Sequence, residues 1–428
     1  MTADFIREQI QHTGISESIK LARANEETAS AFESFLAALR LHVSVSISEE
    51  EAAEMLVQHI LTKPVFDALF HSAVCRHHPV SQALDKVAGL IESMNVPFNA
   101  GKKLPEFYDK VRRCAAGADS AAGKQKMIIE LYDQFFKTAF PKMSARLGIV
   151  YTPLEVVDFI LHSVDYVLRK DFGGGGFNAE GNEILDPFTG TGIFIVRLLQ
   201  SGLIAPENLR RKYENEIRAH EIVLLAYYIA AVNIDNAFRE MISGSPQLAA
   251  ENGTSFPGLI LADTFTLTQN GQHAADKNSK RIKKHQDQPV RIIIGNPPYS
   301  AGQKSANDNN QNQKYDELDK RISQTYAAGS SAQNKNSLYD AYMRSFRWAS
   351  DRIGSRGVIA FVTNIGWLDG NAMDGFRKCL AEEFDDIYVF NLRGSIRGKR
   401  GAEVKKEGQN VFNIMTGVGI TLLVKKGK

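Results

Sequence analysis

Through the first third of the chain apolar residues recur at helical spacing, over Ile19 to Leu41, behind Ser48-Glu49-Glu50-Glu51, and over Gln125 to Phe140. Ser48 with Glu51 three residues on is a capping box, which satisfies two orphan N–H groups where a helix opens. Strand signals are nearly absent there. After Tyr151 the pattern becomes short apolar runs separated by amphipathic stretches. Glu183-Ile184-Leu185, Ile217 to Glu221, Leu259 to Ala262, Val290 to Gly295, Gly357 to Val362 and Ile387 to Asn391 read as strands; Thr191 to Gly202 and Val223 to Val232 read as helices. Val411 to Met415 and Val418 to Lys425 flank Thr416-Gly417 and read as a hairpin. The spacing therefore predicts an all-α unit over residues 1–145 and, over 146–428, an α/β unit with a doubly wound, Rossmann-like sheet and an antiparallel edge hairpin. Sheets of that kind bind ligands at the carboxyl ends of their strands.

Two turns at such ends carry chemistry. Asp186-Pro187-Phe188-Thr189-Gly190-Thr191-Gly192 joins a strand to a helix, where a glycine-rich backbone lets a ligand come close to N–H groups. Gly190 and Gly192 lack the third glycine of a dinucleotide fingerprint. A carboxylate at Asp186 would repel a pyrophosphate but suits the ammonium group of S-adenosylmethionine. Glu221, ending the second strand, is placed to accept ribose hydroxyls, whereas Glu214 and Glu216 sit in a charged stretch and read as solvated. Asp263, after the third strand, can accept the amine of a cofactor adenine, with Phe265 against one face of the ring and Ile222 against the other.

The second turn is Asn296-Pro297-Pro298-Tyr299. An exocyclic amine on an aromatic base is a poor nucleophile, because its lone pair is delocalised into the ring. The Asn296 amide oxygen and the Pro297 carbonyl can each accept one N–H of such an amine and so favour a lone pair aimed at an electrophile. Pro298 stiffens the backbone and offers no competing N–H. Tyr299 offers a flat face to a base taken out of its duplex.

These motifs resemble the amino-group DNA methyltransferases that act on adenine N6, in which a motif like Asp186 to Gly192 precedes one like Asn296 to Tyr299. Gly148-Ile149-Val150-Tyr151-Thr152-Pro153 is similar to their N-terminal motif, and Leu61 to Phe70 together with Asn296 to Gly394 resembles the type ISP restriction-modification enzymes. The resemblance implies a class I S-adenosylmethionine-dependent methyltransferase fold behind a helical coupler. It implies Tyr151 and Thr152 near the cofactor's methionine part, although Thr152 is first of all a good helix N-cap. It also implies Phe412 as a base-contacting aromatic, a role that competes with a plain core position. The expected partner is double-stranded DNA with its target adenine flipped, and the expected neighbours are nuclease, helicase and target-recognition domains of a longer polypeptide. No phosphate-binding G-x-x-x-x-G-K-[ST] sequence occurs, so no motor is expected within this chain. Rival readings are a protein-glutamine N5-methyltransferase, which places the same tetrapeptide on another planar nitrogen, and a non-catalytic module that holds cofactor and binds DNA.

Composition narrows this only slightly. A net charge of +2 with 23% charged residues excludes a chain that is basic all over, so any phosphate contacts must be local, with Lys280 to Lys284 and Arg393 to Lys406 as candidates. The three cysteines are odd in number and far apart, which points to a reducing compartment; with no leader and no apolar run of spanning length, the cytoplasm is expected. Cys75 near His77 and His78 has no second ligand pair, so no metal site is expected. The Asn- and Gln-rich stretch over 300–336 is expected to be a mobile loop that orders on DNA.

Overall fold

The computed structural model describes residues 26–42, 47–53, 55–56, 59, 85–89, 152–243, 256–267, 277–299, 315–396, 401, 407–408, 411–412 and 416–427. Its centre is a seven-stranded sheet of β1 (Ile184–Asp186), β2 (Ile217–Glu221), β3 (Leu259–Leu261), β4 (Ile292–Gly295), β5 (Arg356–Asn364), β6 (Asp386–Asn391) and β7 (Val418–Lys426), in the order β3-β2-β1-β4-β5-β7-β6. Strands β1 to β5 run parallel. Strands β1 to β4 are buried throughout, as parallel strands covered on both faces must be.

Helices cover both faces. They are α1 (Glu26–His42), α2 (Leu154–Asp171), α3 (Ile193–Gln200), α4 (Pro206–Arg211), α5 (Leu224–Ser243), α6 (Lys277–Asp287), α7 (Asp316–Ile322), α8 (Ala341–Arg352) and α9 (Asp374–Glu383). One core unites apolar residues of α1, α2, α3 and α5 with one face of the sheet; a second unites those of α7, α8 and α9 with the other. The strand order reverses between β1 and β4, which opens a crevice at their carboxyl ends.

In the N-terminal region the capping box forms as the sequence predicts. Ser48 N–H donates to Glu51 Oε2 at 2.9 Å, and Glu51 N–H to Ser48 Oγ at 3.2 Å. Helix α1 buries Phe32, Phe35, Leu36 and Leu39, one stripe of a 3.6-residue period. His59 joins this region to α5 through a 3.1 Å hydrogen bond with the Tyr228 hydroxyl, while its other nitrogen lies 2.9 Å from Asp85. The helical stretches predicted over 19–25 and 125–140 lie outside the described residues.

Three expectations change. The antiparallel edge is present, but Val418–Lys426 is paired with β5 on one side and β6 on the other, not with Val411 to Met415. Val411 and Phe412 lie in a turn, and 413–415 lie outside the described residues. Within the polar run over 300–336, residues 316–329 are helical, because Tyr315, Leu318, Ile322 and Tyr326 recur at helical spacing and bury against the second core; residues 300–314 are not described. Glu216, expected in solvent, is 4% exposed and pairs with the fully buried Lys212 at 2.5 Å and with Arg211, because residues 212–216 form a π-helical turn that folds them inward.

Gly357 shows how tightly the sheet centre is packed. A Cβ there would lie 2.4 Å from the Arg291 carbonyl oxygen, a backbone atom leading into β4. Gly357→Ala should therefore cost about 1–3 kcal/mol in urea denaturation, the usual penalty of overpacking. Gly89→Ala, in a helix where, among the described residues, nothing beyond the helix's own backbone and the chain neighbours lies within 4 Å of the new methyl group, should instead stabilise by about 0.5–1 kcal/mol.

Candidate functional site

The register of β1 on β4 sets Ile184 against Ile292 and Leu185 against Ile293, so both candidate turns leave the sheet side by side. A Cβ on Gly295 would lie 3.0 Å from Asp186 Oδ1, which is how closely the two motifs approach.

The first turn is closed by its own side chains. Thr189 Oγ donates to the Asp186 carbonyl at 3.0 Å, and Thr189 N–H reaches the His220 carbonyl at 3.1 Å. Gly192 has φ +86°, and a Cβ there would press on Ile234 of α5 at 3.1 Å; Gly190 has φ +56°, and among the described residues other than its chain neighbours none comes within 4 Å of where a Cβ would project. Glycine thus serves helix packing at one position and backbone access at the other. Pro187 is buried and Phe188 half-buried, with the Phe188 ring 5.6 Å from that of Phe265.

Three carboxylates line the carboxyl ends of β1, β2 and β3. Asp186 is fully buried; its Oδ1 accepts the Phe188 N–H at 3.1 Å, while Oδ2 has no hydrogen-bond partner among the described residues. Burial pushes its pKa up to about 8, with the Glu221 charge adding to the shift. Glu221 accepts the Gly190 N–H at 2.7 Å and the Val223 N–H at 2.7 Å, and burial raises it to about 7. It clamps the glycine turn, a role its position in sequence did not announce. Asp263 accepts the Phe265 N–H at 3.0 Å and the Tyr315 hydroxyl at 3.0 Å, and burial raises it to about 6. Ile222 is half-buried and packs on the first core. An acceptor buried without a partner, beside a backbone with room for a ligand, fits a cationic donor.

At the second turn, Asn296 Nδ2 donates to Thr152 Oγ at 2.9 Å. This corrects the capping expectation for Thr152. The N-cap of α2 is Pro153 with no side-chain cap, because the threonine hydroxyl is turned toward the asparagine. Pro297 is buried. Tyr299 directs its hydroxyl to the Val362 carbonyl at 3.3 Å and sets its ring 5.8 Å from Phe412, so these two aromatics meet as a pair. Tyr151 lies outside the described residues.

Two groups escaped the sequence reading. Tyr315 touches Asp263 from 52 positions away, and nothing in its neighbourhood in sequence signals that contact. Behind Pro187 runs a buried chain in which Thr264 Oγ donates to the Pro187 carbonyl at 2.6 Å, His220 Nδ1 meets Thr264 Oγ at 3.3 Å, and His220 Nε2 meets His285 Nδ1 at 3.1 Å. Burial lowers the His220 pKa to about 3, so the ring is neutral. The hydroxyl proton goes to Pro187, which makes Nδ1 the protonated nitrogen and Nε2 an acceptor.

Residues 4–123 match the coupler domain of Type ISP restriction-modification enzymes, and residues 210–395 match the Eco57I restriction-modification methylase family. Among solved structures, the ATP-dependent Type ISP restriction-modification enzyme LlaBIII bound to DNA is similar over 100% of this chain and 28% of its own, at 44% identity and a TM-score of 0.88. A nuclease-deletion mutant of the Type ISP enzyme LlaGI with a DNA substrate mimic is similar over 99% of this chain and 34% of its own, at 41% identity and a TM-score of 0.86. The DrdV–DNA complex matches over 99% of this chain and 41% of its own, at 34% identity and a TM-score of 0.87. The chain thus spans well under half the length of each. No curated protein sequence matches it.

The buried carboxylates give a stability signature. Asp186 in the folded chain holds its proton to about pH 8, against an ordinary value of 3.8, so the stability it contributes is full below the ordinary value and is lost as pH rises through 8. His220 acts with the opposite sign, but equally in both proteins if only Asp186 is changed. Asp186→Asn should therefore gain on the wild type by at least about 1.4 kcal/mol between pH 5 and pH 9 in urea denaturation. A difference that stays constant across that range would mean that Asp186 is charged throughout.

Proposed function

Because this chain belongs to the Type ISP restriction-modification enzymes, with their coupler and methylase regions, we propose that it transfers a methyl group from S-adenosylmethionine to the N6 amine of an adenine in DNA. The observation that carries this reading is the Asn296–Thr152 hydrogen bond. It commits the nitrogen of the carboxamide to a fixed partner, and the oxygen is then the atom suited to accept an N–H from a base amine. The Pro297 carbonyl accepts the second N–H, and the amine's lone pair is left facing the cofactor side of the crevice. Tyr299, backed by Phe412, stacks on the extruded base. No covalent intermediate is needed.

When bound, S-adenosylmethionine supplies the electrophilic methyl group. Asp186 is the counter-charge for its ammonium, Glu221 accepts from its ribose hydroxyls, and Asp263 with Phe265 holds its adenine. Thr152 borders its methionine end, the place where the family resemblance also puts Tyr151, and Pro187, Phe188, Gly190 and Gly192 form the turn under it, with Ile222 beside the adenine. Among the described residues no helix is long and apolar enough to cross a membrane. Nuclease, motor and target-recognition functions belong, in this reading, to other parts of a longer polypeptide.

Asn296→Ala should cut methyl transfer to DNA at least about a hundredfold in a radiolabelled-methyl assay, the scale of losing one preorganised partner of the transition state, with cofactor affinity nearly unchanged. Undiminished transfer would remove Asn296 from the mechanism. Asp186→Ala and Glu221→Ala should each weaken S-adenosylhomocysteine binding by about 1.5–3 kcal/mol in calorimetry. Glu214→Ala, whose carboxylate is partly exposed and pairs with Arg210 at 3.3 Å, should not. Titrated with DNA duplexes at two salt concentrations, the chain should bind weakly, lose affinity steeply with salt and discriminate little among sequences. Tight, salt-resistant binding to one site would place a recognition element within these 428 residues.

A further inference from the structure

The chain's aromatic residues do not all serve the base. Phe188, Phe265 and Tyr315 form a row beside Asp263, with ring centroids 5.6 Å apart for the first pair and 5.0 Å, edge-on, for the second. Tyr315 is 9% exposed and held from three sides. Its N–H donates to Asp319 at 3.3 Å, the Arg344 guanidinium lies 5.4 Å from its ring centre, and Arg344 is itself fixed by two bonds to Asp319 at 2.7 and 2.9 Å. So braced, the phenol hydroxyl reaches Asp263 Oδ2, the oxygen not engaged by the Phe265 amide.

We propose that Tyr315 is a positioning residue for the cofactor's nucleobase: by donating a hydrogen bond from its hydroxyl to Asp263 it keeps that carboxylate an acceptor, so that the pocket selects a 6-amino over a 6-oxo purine. This rests on the reading of Asp263 as the adenine ligand. A carboxylate accepts from an N6 amine and repels an O6 carbonyl, whereas a protonated carboxyl can donate to O6 and loses the distinction. Burial works toward protonation of Asp263, and the two groups that oppose it are the Phe265 amide and the Tyr315 hydroxyl. The amide belongs to the same turn; the phenol comes from another layer of the fold. Of the charges nearby, Arg344 and Asp319 are spent on each other behind the tyrosine ring, and Asp186 and Glu221 end the neighbouring strands.

Asp186 and Glu221 also titrate near neutrality, so the measurement must cancel them. A ratio of affinities does so, taken between 5′-methylthioadenosine and 5′-methylthioinosine, which share a ribose, lack the amino-acid part and differ in the 6-amino against the 6-oxo group and the N1 proton that accompanies the latter. For the wild-type chain the amino preference should be about tenfold or more above neutrality and should fade as pH drops through about 6. Tyr315→Phe keeps the ring and removes the donor; it should raise the pH at which the preference appears by about one unit or more, with the wild-type ratio recovered by about pH 9. Replacing Tyr315 with 3-fluorotyrosine, a stronger donor, should move the onset the other way, and this arm decides the matter if Y315F does not fold. An onset that neither variant moves, or a ratio lowered equally at every pH, would overturn the proposal and leave Tyr315 a packing residue. Asp263→Ala separates the two layers of the reading, since a variant that kept the wild-type preference would show that Asp263 does not read the base at all.

Discussion

Strand β1 lies beside β4 in parallel, with Leu185 opposite Ile293, and the meeting of the two candidate turns depends on that pairing. A shift by one residue would turn Asp186 to the other face of the sheet and separate it from Gly295, and so from the asparagine that follows. The absence of a side chain at Gly295 is the steric condition that lets the carboxylate stand where it does. Thr152 then ties the second turn to the start of α2, so three stretches of chain far apart in sequence are fixed to one another by one strand pairing and one hydrogen bond.

The crevice concentrates unfavourable electrostatics. Asp186 and Glu221 end β1 and β2 and Asp263 follows β3, all are nearly fully buried, and each is pushed above the ordinary carboxylate range chiefly by loss of water. Side chains chosen for stability alone would be apolar here. The fold carries this burden because the helices around it are well packed, with α3 closing on α5 at Gly192 and the neutral His220 chain supporting Pro187 from behind. Clusters of acids with such displaced protonation are characteristic of places where a fold binds something.

The turns were legible because their chemistry is local. Asp186-Pro187-Phe188 and Asn296-Pro297-Pro298 contain residues whose backbone limits and hydrogen-bonding groups specify a turn wherever they stand, and the apolar runs before them mark the strands. What was not legible depends on distance along the chain. Thr152 looked like a cap because Pro153 and Glu155 make it a good one, and only its partner, 144 positions away, decides otherwise. Val418 to Lys425 reads as a hairpin partner of the apolar run before it, whereas long-range pairing places Val418–Lys426 between β5 and β6. The helix at Asp316–Ile322 was readable from the spacing of Tyr315, Leu318, Ile322 and Tyr326, but the amide-rich residues before it set the composition of the window.

Strand β7 is the last in sequence yet has a strand on each side in the sheet. During synthesis, β5 must therefore wait with an open edge, and β6 with no neighbour, until residue 426 has left the ribosome. The contacts that join them span long stretches of chain, the kind that form slowly and leave intermediates exposed to aggregation. A chain stopped before Val418 would carry the candidate residues of both turns, but its sheet would end on the bare edge of β5, a template for pairing with another chain. The open edge of β5 thus closes only after the residues of both turns have been made.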